Sequence, residues 1–199
     1  MVCTFCDKCI EKLKEKDTQA SKKHSLLDIA MAELPYIDDK RIKHLYKIAC
    51  SNLQSLDKTS QKKSYRILEE ICGGKSQGCK TFIKKNLSDI QETLLSSLSA
   101  SSSSSKAPRL RCLMNLFQQF DKEQPEFMLA VIPEAILCTR EVGERARTAA
   151  YTLLVQMCKS QIEHSDESPL VVISNYFKMV LAGLGGSPQM VSCTLLALT

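Results

Sequence analysis

The stretch SYRIL, residues 64–68, returns in altered form as CLMNL at 112–116, AYTLL at 150–154 and SCTLL at 192–196. In each, a small or polar residue is followed three or four places later by leucine or another apolar residue. Residues three and four apart are neighbours on a helical surface, so this spacing marks one buried helix face. The starts are separated by 48, 38 and 42 residues, a mean of about 43. Helix-pair repeats of about 40–47 residues have this period.

The sequence between these openings is helical in pattern. DDKRIKHLYKIACSNLQSL (38–56) places Ile42, Leu45, Tyr46, Ala49, Leu53 and Leu56 on one stripe, with Ile48 beside it. Tyr65, Ile67, Leu68 and Ile71 follow, and Gly73-Gly74 supplies the left-handed stop that helices favour. CKTFIKKNLSDIQETLLSSL (79–98) and APRLRCLMNLFQQF (107–120) continue the pattern. Asp121 reads as an N-cap with Pro125 in the first turn behind it, and Pro133 should kink that helix. GERARTAAYTLLVQMCKSQIEH (143–164) lines its buried side with Ala146, Ala149, Ala150, Leu153, Leu154 and Met157. Ser168-Pro169 and Ser187-Pro188 open two more helices, at about 168–183 and 187–199. With HSLLDIAMAEL forming a helix over about 25–34, the chain reads as nine helices and no strand.

A single helix pair cannot bury both of its faces, so pairs must stack. The expected fold is therefore all-α, a HEAT/armadillo-like α-solenoid of stacked antiparallel helix pairs over residues 24–199. ASSSSS at 100–105 reads as a flexible, solvated Ser-rich loop, and residues 1–23 as a disordered or frayed N-terminal segment.

Composition agrees with this class. Of 199 residues 44% are hydrophobic, enough for a substantial core, while aromatics are 6% and Trp is absent. No apolar run approaches the roughly 20 residues that span a bilayer, so no membrane segment is expected. VCTFCDKCIEKLKEK lacks an apolar signal region, and several of the ten cysteines lie in apolar helical stretches. An intracellular, reducing compartment follows.

CTFCDKC (3–9) holds Cys3, Cys6 and Cys9 at spacing three. A structural zinc site needs four ligands, and the next candidates, His24 and Cys50, sit in no knuckle. No βαβ pattern surrounds the CxxC. The cluster is read as carrying neither metal nor redox function, and no cofactor is expected. His24, His44 and His164 are scattered, and no GxSxG, HExxH, P-loop or Rossmann fingerprint is present. GLGGSP (183–188) reads as a turn. The chain is expected not to be an enzyme.

Charge is uneven: 21 Lys and Arg against 13 Asp and Glu over residues 1–111, but 6 against 9 over residues 112–199. Basic residues gather where helices start, at Lys58, Lys62, Lys63 and Arg66, at Lys80, Lys84 and Lys85, and at Lys106, Arg109 and Arg111. In a stacked array equivalent starts line up, so these ten could form a basic ridge that grips phosphates without reading sequence. Arg140, Arg145 and Arg147 surround a later turn, where Arg145 and Arg147 read as packing residues.

KTSQKKSYRILEEIC (58–72) and ILCTREVGERARTAAYTLLVQM (136–157) resemble the ribosomal-RNA-processing HEAT-repeat proteins of the Rrp-twelve-like type. The resemblance covers roughly residues 25–199. It implies a large nucleolar and nuclear scaffold in maturation and export of pre-ribosomal particles. The partners implied are RNA, ribosome-assembly proteins and the nuclear transport machinery. Members are far longer than 199 residues, so the chain reads as an N-terminal fragment or short isoform. No catalytic residues are implied. A protein-only adaptor of the nuclear transport type, without RNA contact, is the alternative.

Overall fold

A computed structural model of the chain describes residues 2–15 and 19–199, with the side chains of residues 2–5 and 99 outside that description. The described residues form ten α-helices: α1 (Val2–Lys14), α2 (Ala20–Glu33), α3 (Asp39–Asn52), α4 (Lys58–Cys72), α5 (Gln77–Ser96), α6 (Ser103–Phe117), α7 (Pro125–Cys138), α8 (Glu144–His164), α9 (Pro169–Leu181) and α10 (Pro188–Ala197). No strand occurs among the described residues. The nine expected helices correspond to α2–α10.

The four recurring openings fall on α4, α6, α8 and α10. In the first three, both the small residue and the leucine four places on are buried: Ser64 with Leu68, Cys112 with Leu116, and Ala150 with Leu154. The small residue lets a neighbouring helix approach, and each buried leucine is worth about 1.5–3 kcal/mol. The fourth differs: Ser192 is half-buried and Leu196 exposed.

Two compact units divide the chain, Met1–Cys112 and Leu113–Thr199. In the first, α1 packs on α2 and α3 on α4 as pairs, and the pairs stack like on like: α1 against α3, α3 against α5, α2 against α4. In the second, α7 packs against α8, α9 and α10. Phe117, Phe120 and Phe127 form an aromatic cluster there, with ring centroids 5.2, 5.4 and 5.9 Å apart. The fold is thus an all-α solenoid of stacked helix pairs.

Several local expectations need correction. Residues 2–14, read as a frayed lead-in, form α1, because Cys6, Cys9, Ile10 and Leu13 share one helical face and are buried. Burial pushes the Cys6 thiol up to about 11 and raises that of Cys9, so both behave as small hydrophobes. The Cys3 side chain, and residues 1 and 16–18 of the expected segment, lie outside the described residues. Leu56 is fully exposed, because α3 stops at Asn52, whose side-chain amide donates to the Ile48 carbonyl at 2.9 Å. Asp121 caps nothing: α7 begins after Gln124. It runs through Pro133, and the non-helical residue instead lies in α5, at Asn86, whose amide donates to the Phe82 carbonyl at 2.8 Å.

The Ser-rich segment is narrower than expected. A 3-10 turn covers Leu98–Ala100 and α6 already starts at Ser103, leaving residues 101–102 between them. Gln61, buried on α4, holds this corner: its side chain donates to the Leu53 and Ala100 carbonyls, both at 2.7 Å. It also accepts from the Ser102 amide and the Ser105 hydroxyl, both at 2.9 Å.

Glycine serves where expected and once where it was not. Gly74 has φ 58°, the left-handed stop after α4. At Gly78 any Cβ would stand 2.5 Å from the Ile37 carbonyl oxygen, so only glycine lets α5 start against the entry to α3.

Asp57 caps α4. It accepts from the Thr59 amide at 3.0 Å, the Ser60 hydroxyl at 2.6 Å and His24 Nε2 of α2 at 2.6 Å. Those bonds, the Ser60 hydroxyl first, hold its carboxyl far below its ordinary 3.8. A depressed folded pKa stabilises above the unfolded value and is lost as pH falls. Stability should therefore decline as acid is added below pH 4. Asp57→Ala should cost about 1–2 kcal/mol at neutral pH in urea titration and flatten that acid decline.

Candidate nucleic-acid interface

The ten basic residues expected to form a ridge separate into three groups. Arg109 is withdrawn from any surface role, being 1% exposed. Its guanidinium donates to the Leu94 carbonyl at 2.7 Å, the Ser97 hydroxyl at 2.9 Å and the Tyr65 hydroxyl at 3.3 Å, and lies 5.7 Å from the Tyr65 ring centroid. It is a core cation that knits α4, α5 and α6.

Three more are engaged between helix pairs. Lys63 of α4 reaches Asp28 of α2 at 2.5 Å. Lys85 of α5 reaches Asp39 of α3 at 2.7 Å, and Arg111 of α6 clasps Glu69 of α4 through bonds of 2.7 and 3.0 Å. Arg41 of α3 makes the same kind of fork to Asp7 of α1, with both bonds at 2.9 Å. Each stacking step within the first unit thus carries an ion pair, with the acid on the earlier helix and the base on the later one. The Lys85 and Arg41 bonds hold Asp39 and Asp7 below the ordinary carboxylate range. Surface pairs contribute little each, so the value of this ladder is register more than stability.

The third group remains available. Lys58, Lys62 and Arg66 are exposed at spacing four along α4, and Lys80 and Lys84 are exposed at the same spacing on α5. None of these five is held in an ion pair among the described residues. Lys106 is half-buried and has a partner of its own. In the second unit Arg147 donates locally, to the Glu141 and Val142 carbonyls, both at 2.8 Å, and not to an acidic group of another repeat, while Arg145 is exposed.

A basic cleft of about 700 Å³ opens elsewhere in the first unit. Its walls include Lys14 from the end of α1, Lys23 from α2, and His44, Lys47 and Asn52 from α3, with Glu15 as the acidic residue of the lining. Among the described residues no group of three His, Cys, Asp or Glu side chains is placed to hold a metal ion.

Sequence comparison places these features. No protein-family profile matches the chain. The RRP12-like protein of Gallus gallus is 39% identical over 197 residues, 99% of this chain. The RRP12-like protein of Homo sapiens is 36% identical over 199 residues, all of the chain. The chain belongs to the Rrp12-like family. The Ribosomal RNA-processing protein 12 of Saccharomyces cerevisiae is 27% identical over 186 residues, 86% of the chain. The Rrp12-like chain spans about 15% of the length of each of these relatives. In structure it resembles the crystal structure of an engineered protein, at a TM-score of 0.59 and 17% identity over 97% of this chain and 77% of that one, a likeness of fold alone.

Two features of this Rrp12-like chain were not readable along the sequence. The acids Asp7, Asp28, Asp39 and Glu69 lie 34 to 46 residues from their bases, a distance that only the stacked repeat closes. The cleft lysines come from three helices, so no local run announces them. The signal available was subtler: Lys40, Lys43, His44 and Lys47 recur at helical spacing on α3, opposite its buried stripe.

Proposed function

We propose that the chain is a non-catalytic scaffold segment acting in ribosome biogenesis: pre-rRNA processing and the maturation and nuclear export of pre-ribosomal subunits. It works in the nucleus and nucleolus, contacting RNA and assembly factors. Kinship to proteins named for ribosomal RNA processing supports the process. The observation that carries the RNA contact is the set of exposed, unpaired cations Lys58, Lys62, Arg66, Lys80 and Lys84 on α4 and α5. Few aromatics accompany them, which favours grip on the phosphate backbone over stacking on bases.

The test is a salt titration of single-stranded RNA binding. Three to five phosphate contacts should give a log–log slope of about −2 to −3.5, with affinity lost steeply as salt rises. No affinity at low salt removes RNA from the reading. A protein-only adaptor is favoured by a different observation, the exposed Leu170, Phe177 and Leu181 on α9. Retention of ribosome-assembly and transport proteins after nuclease treatment, with no RNA affinity, is its signature.

A further inference from the structure

We infer that the cleft between α1, α2 and α3 is a phosphate-backbone site for single-stranded RNA, with Lys14, Lys23 and Lys47 as its cationic contacts. This rests on the RNA-contacting reading above and moves its centre from the starts of α4 and α5 to a cleft.

Several cations of the first unit are already engaged elsewhere. Arg41, Lys63, Lys85 and Arg111 are in ion pairs and Arg109 is in the core. Among the described residues no ion pair or hydrogen bond engages the ammonium groups of Lys14, Lys23 or Lys47, and Glu15 is the carboxylate in the lining. Among the described residues of the lining, three ammonium groups stand against one carboxylate and leave the cleft positive. Like charges gathered in a concave site repel one another, and the surrounding low-dielectric walls focus their field on whatever anion enters.

Local electrostatics does not account for the gathering. Lys14 lies in the last turn of α1, where the helix dipole favours a cation. Lys23 lies in the first turn of α2, where the dipole opposes one, and it is half-buried. Lys47 lies mid-helix in α3 and gains nothing from either end. Asn52 and Ser51 on the cleft wall add neutral polar groups, but the Asn52 amide is already committed to the Ile48 carbonyl.

The cleft also has an approach. Lys40, Lys43, His44 and Lys47 occupy positions i, i+3, i+4 and i+7 of α3, all exposed. Lys40, Lys43 and Lys47 form a cationic track about 10 Å long at 1.5 Å per residue, with the His44 ring beside it, leading into the cleft. A track joined to a pocket suits a continuous polyanion better than one isolated phosphate. The cleft lining carries no aromatic side chain, so bases are not stacked and sequence is not read there.

The experiment compares Lys14→Glu/Lys23→Glu/Lys47→Glu with Lys58→Glu/Lys62→Glu/Arg66→Glu in the full chain, using a labelled mixed-sequence single-stranded RNA. Reversal in the cleft should weaken binding by about tenfold or more and reduce the salt slope by about 2, the larger effect of the two. Lys→Gln replacements at the same three positions, which add no repulsion, should reduce the slope equally, and Lys→Arg replacements should restore it. Bound RNA should protect Lys14, Lys23 and Lys47 from amine acetylation, a readout that a folding defect does not mimic. Wild-type binding with an unchanged slope in the cleft variants overturns the cleft and leaves the RNA reading standing. Absence of wild-type binding at low salt defeats the RNA reading itself. Capture of an acidic peptide by the cleft, with RNA affinity untouched by its reversal, assigns the cleft to a protein and overturns the inference.

Discussion

Arg109→Ala is expected to destabilise the protein by about 3–5 kcal/mol, lowering Tm by about 6–20 °C. The truncation opens a cavity among Tyr65, Leu94 and Ser97 and leaves the Leu94 carbonyl without its guanidinium donor. The sign of the wild-type contribution is less obvious than that number suggests. Burying an arginine costs several kcal/mol of hydration, which its hydrogen bonds and the Tyr65 ring only partly offset. Arg109→Met, which keeps the volume and removes the charge, should therefore cost less than about 2 kcal/mol. Urea denaturation of the two variants separates the terms. An alanine variant that loses under about 1 kcal/mol would show the side chain to be free at the surface. Folded Arg109→Met protein should also keep its RNA affinity, since the guanidinium faces the core.

The misreading of Arg109 shows what a sequence carries and what it withholds. Residues 106, 109 and 111 read as one basic cluster because they stand close together where the sequence pattern opens a helix over 107–120. On α6 Arg109 stands four and seven residues before Leu113 and Leu116, on one face with them, and all three are buried. The periodicity that located the helix also placed Arg109 on its apolar side; what it could not supply were the Leu94, Ser97 and Tyr65 acceptors, 15, 12 and 44 residues away, that let a guanidinium stay there. On α1 too, Cys6, Cys9, Ile10 and Leu13 spell an apolar face that the conspicuous thiol spacing obscured. Where the pattern was long, as in α8, all of the expected Ala146, Ala149, Ala150, Leu153, Leu154 and Met157 are buried, and Ser160 joins them. Interactions between repeats were the hidden part. Asp7–Arg41 and Glu69–Arg111 join side chains 34 and 42 residues apart, and no local spacing encodes such a pair. Pairing of this kind decides which lysines remain for a partner, so the stack had to be seen before the exposed cations of α4 and α5 stood apart from the rest.

Gln61→Ala should cost about 2–4 kcal/mol, a large effect for a single neutral side chain. The amide of Gln61 uses its full capacity, two donated and two accepted bonds. Two of its partners are half-exposed, at Ala100 and Ser102, and water replaces the glutamine there. The other two are not: Leu53 is 2% exposed and Ser105 fully buried, so the Leu53 carbonyl loses a partner in a dry corner at about 1–3 kcal/mol, while the Ser105 hydroxyl is left with the Ser102 hydroxyl at 3.0 Å. The loss is local as well as global. Amide hydrogen exchange should accelerate first at residues 101–105, because the segment then has little besides the start of α6 to hold it. A run of five serines is flexible by composition, and this corner is ordered only because one buried glutamine answers it. Exchange at Ser102 and Ser105 that is already fast in the wild-type chain, and unchanged in the variant, would return the segment to a solvated loop and loosen the start of α6, about two turns before Arg111 reaches back to Glu69.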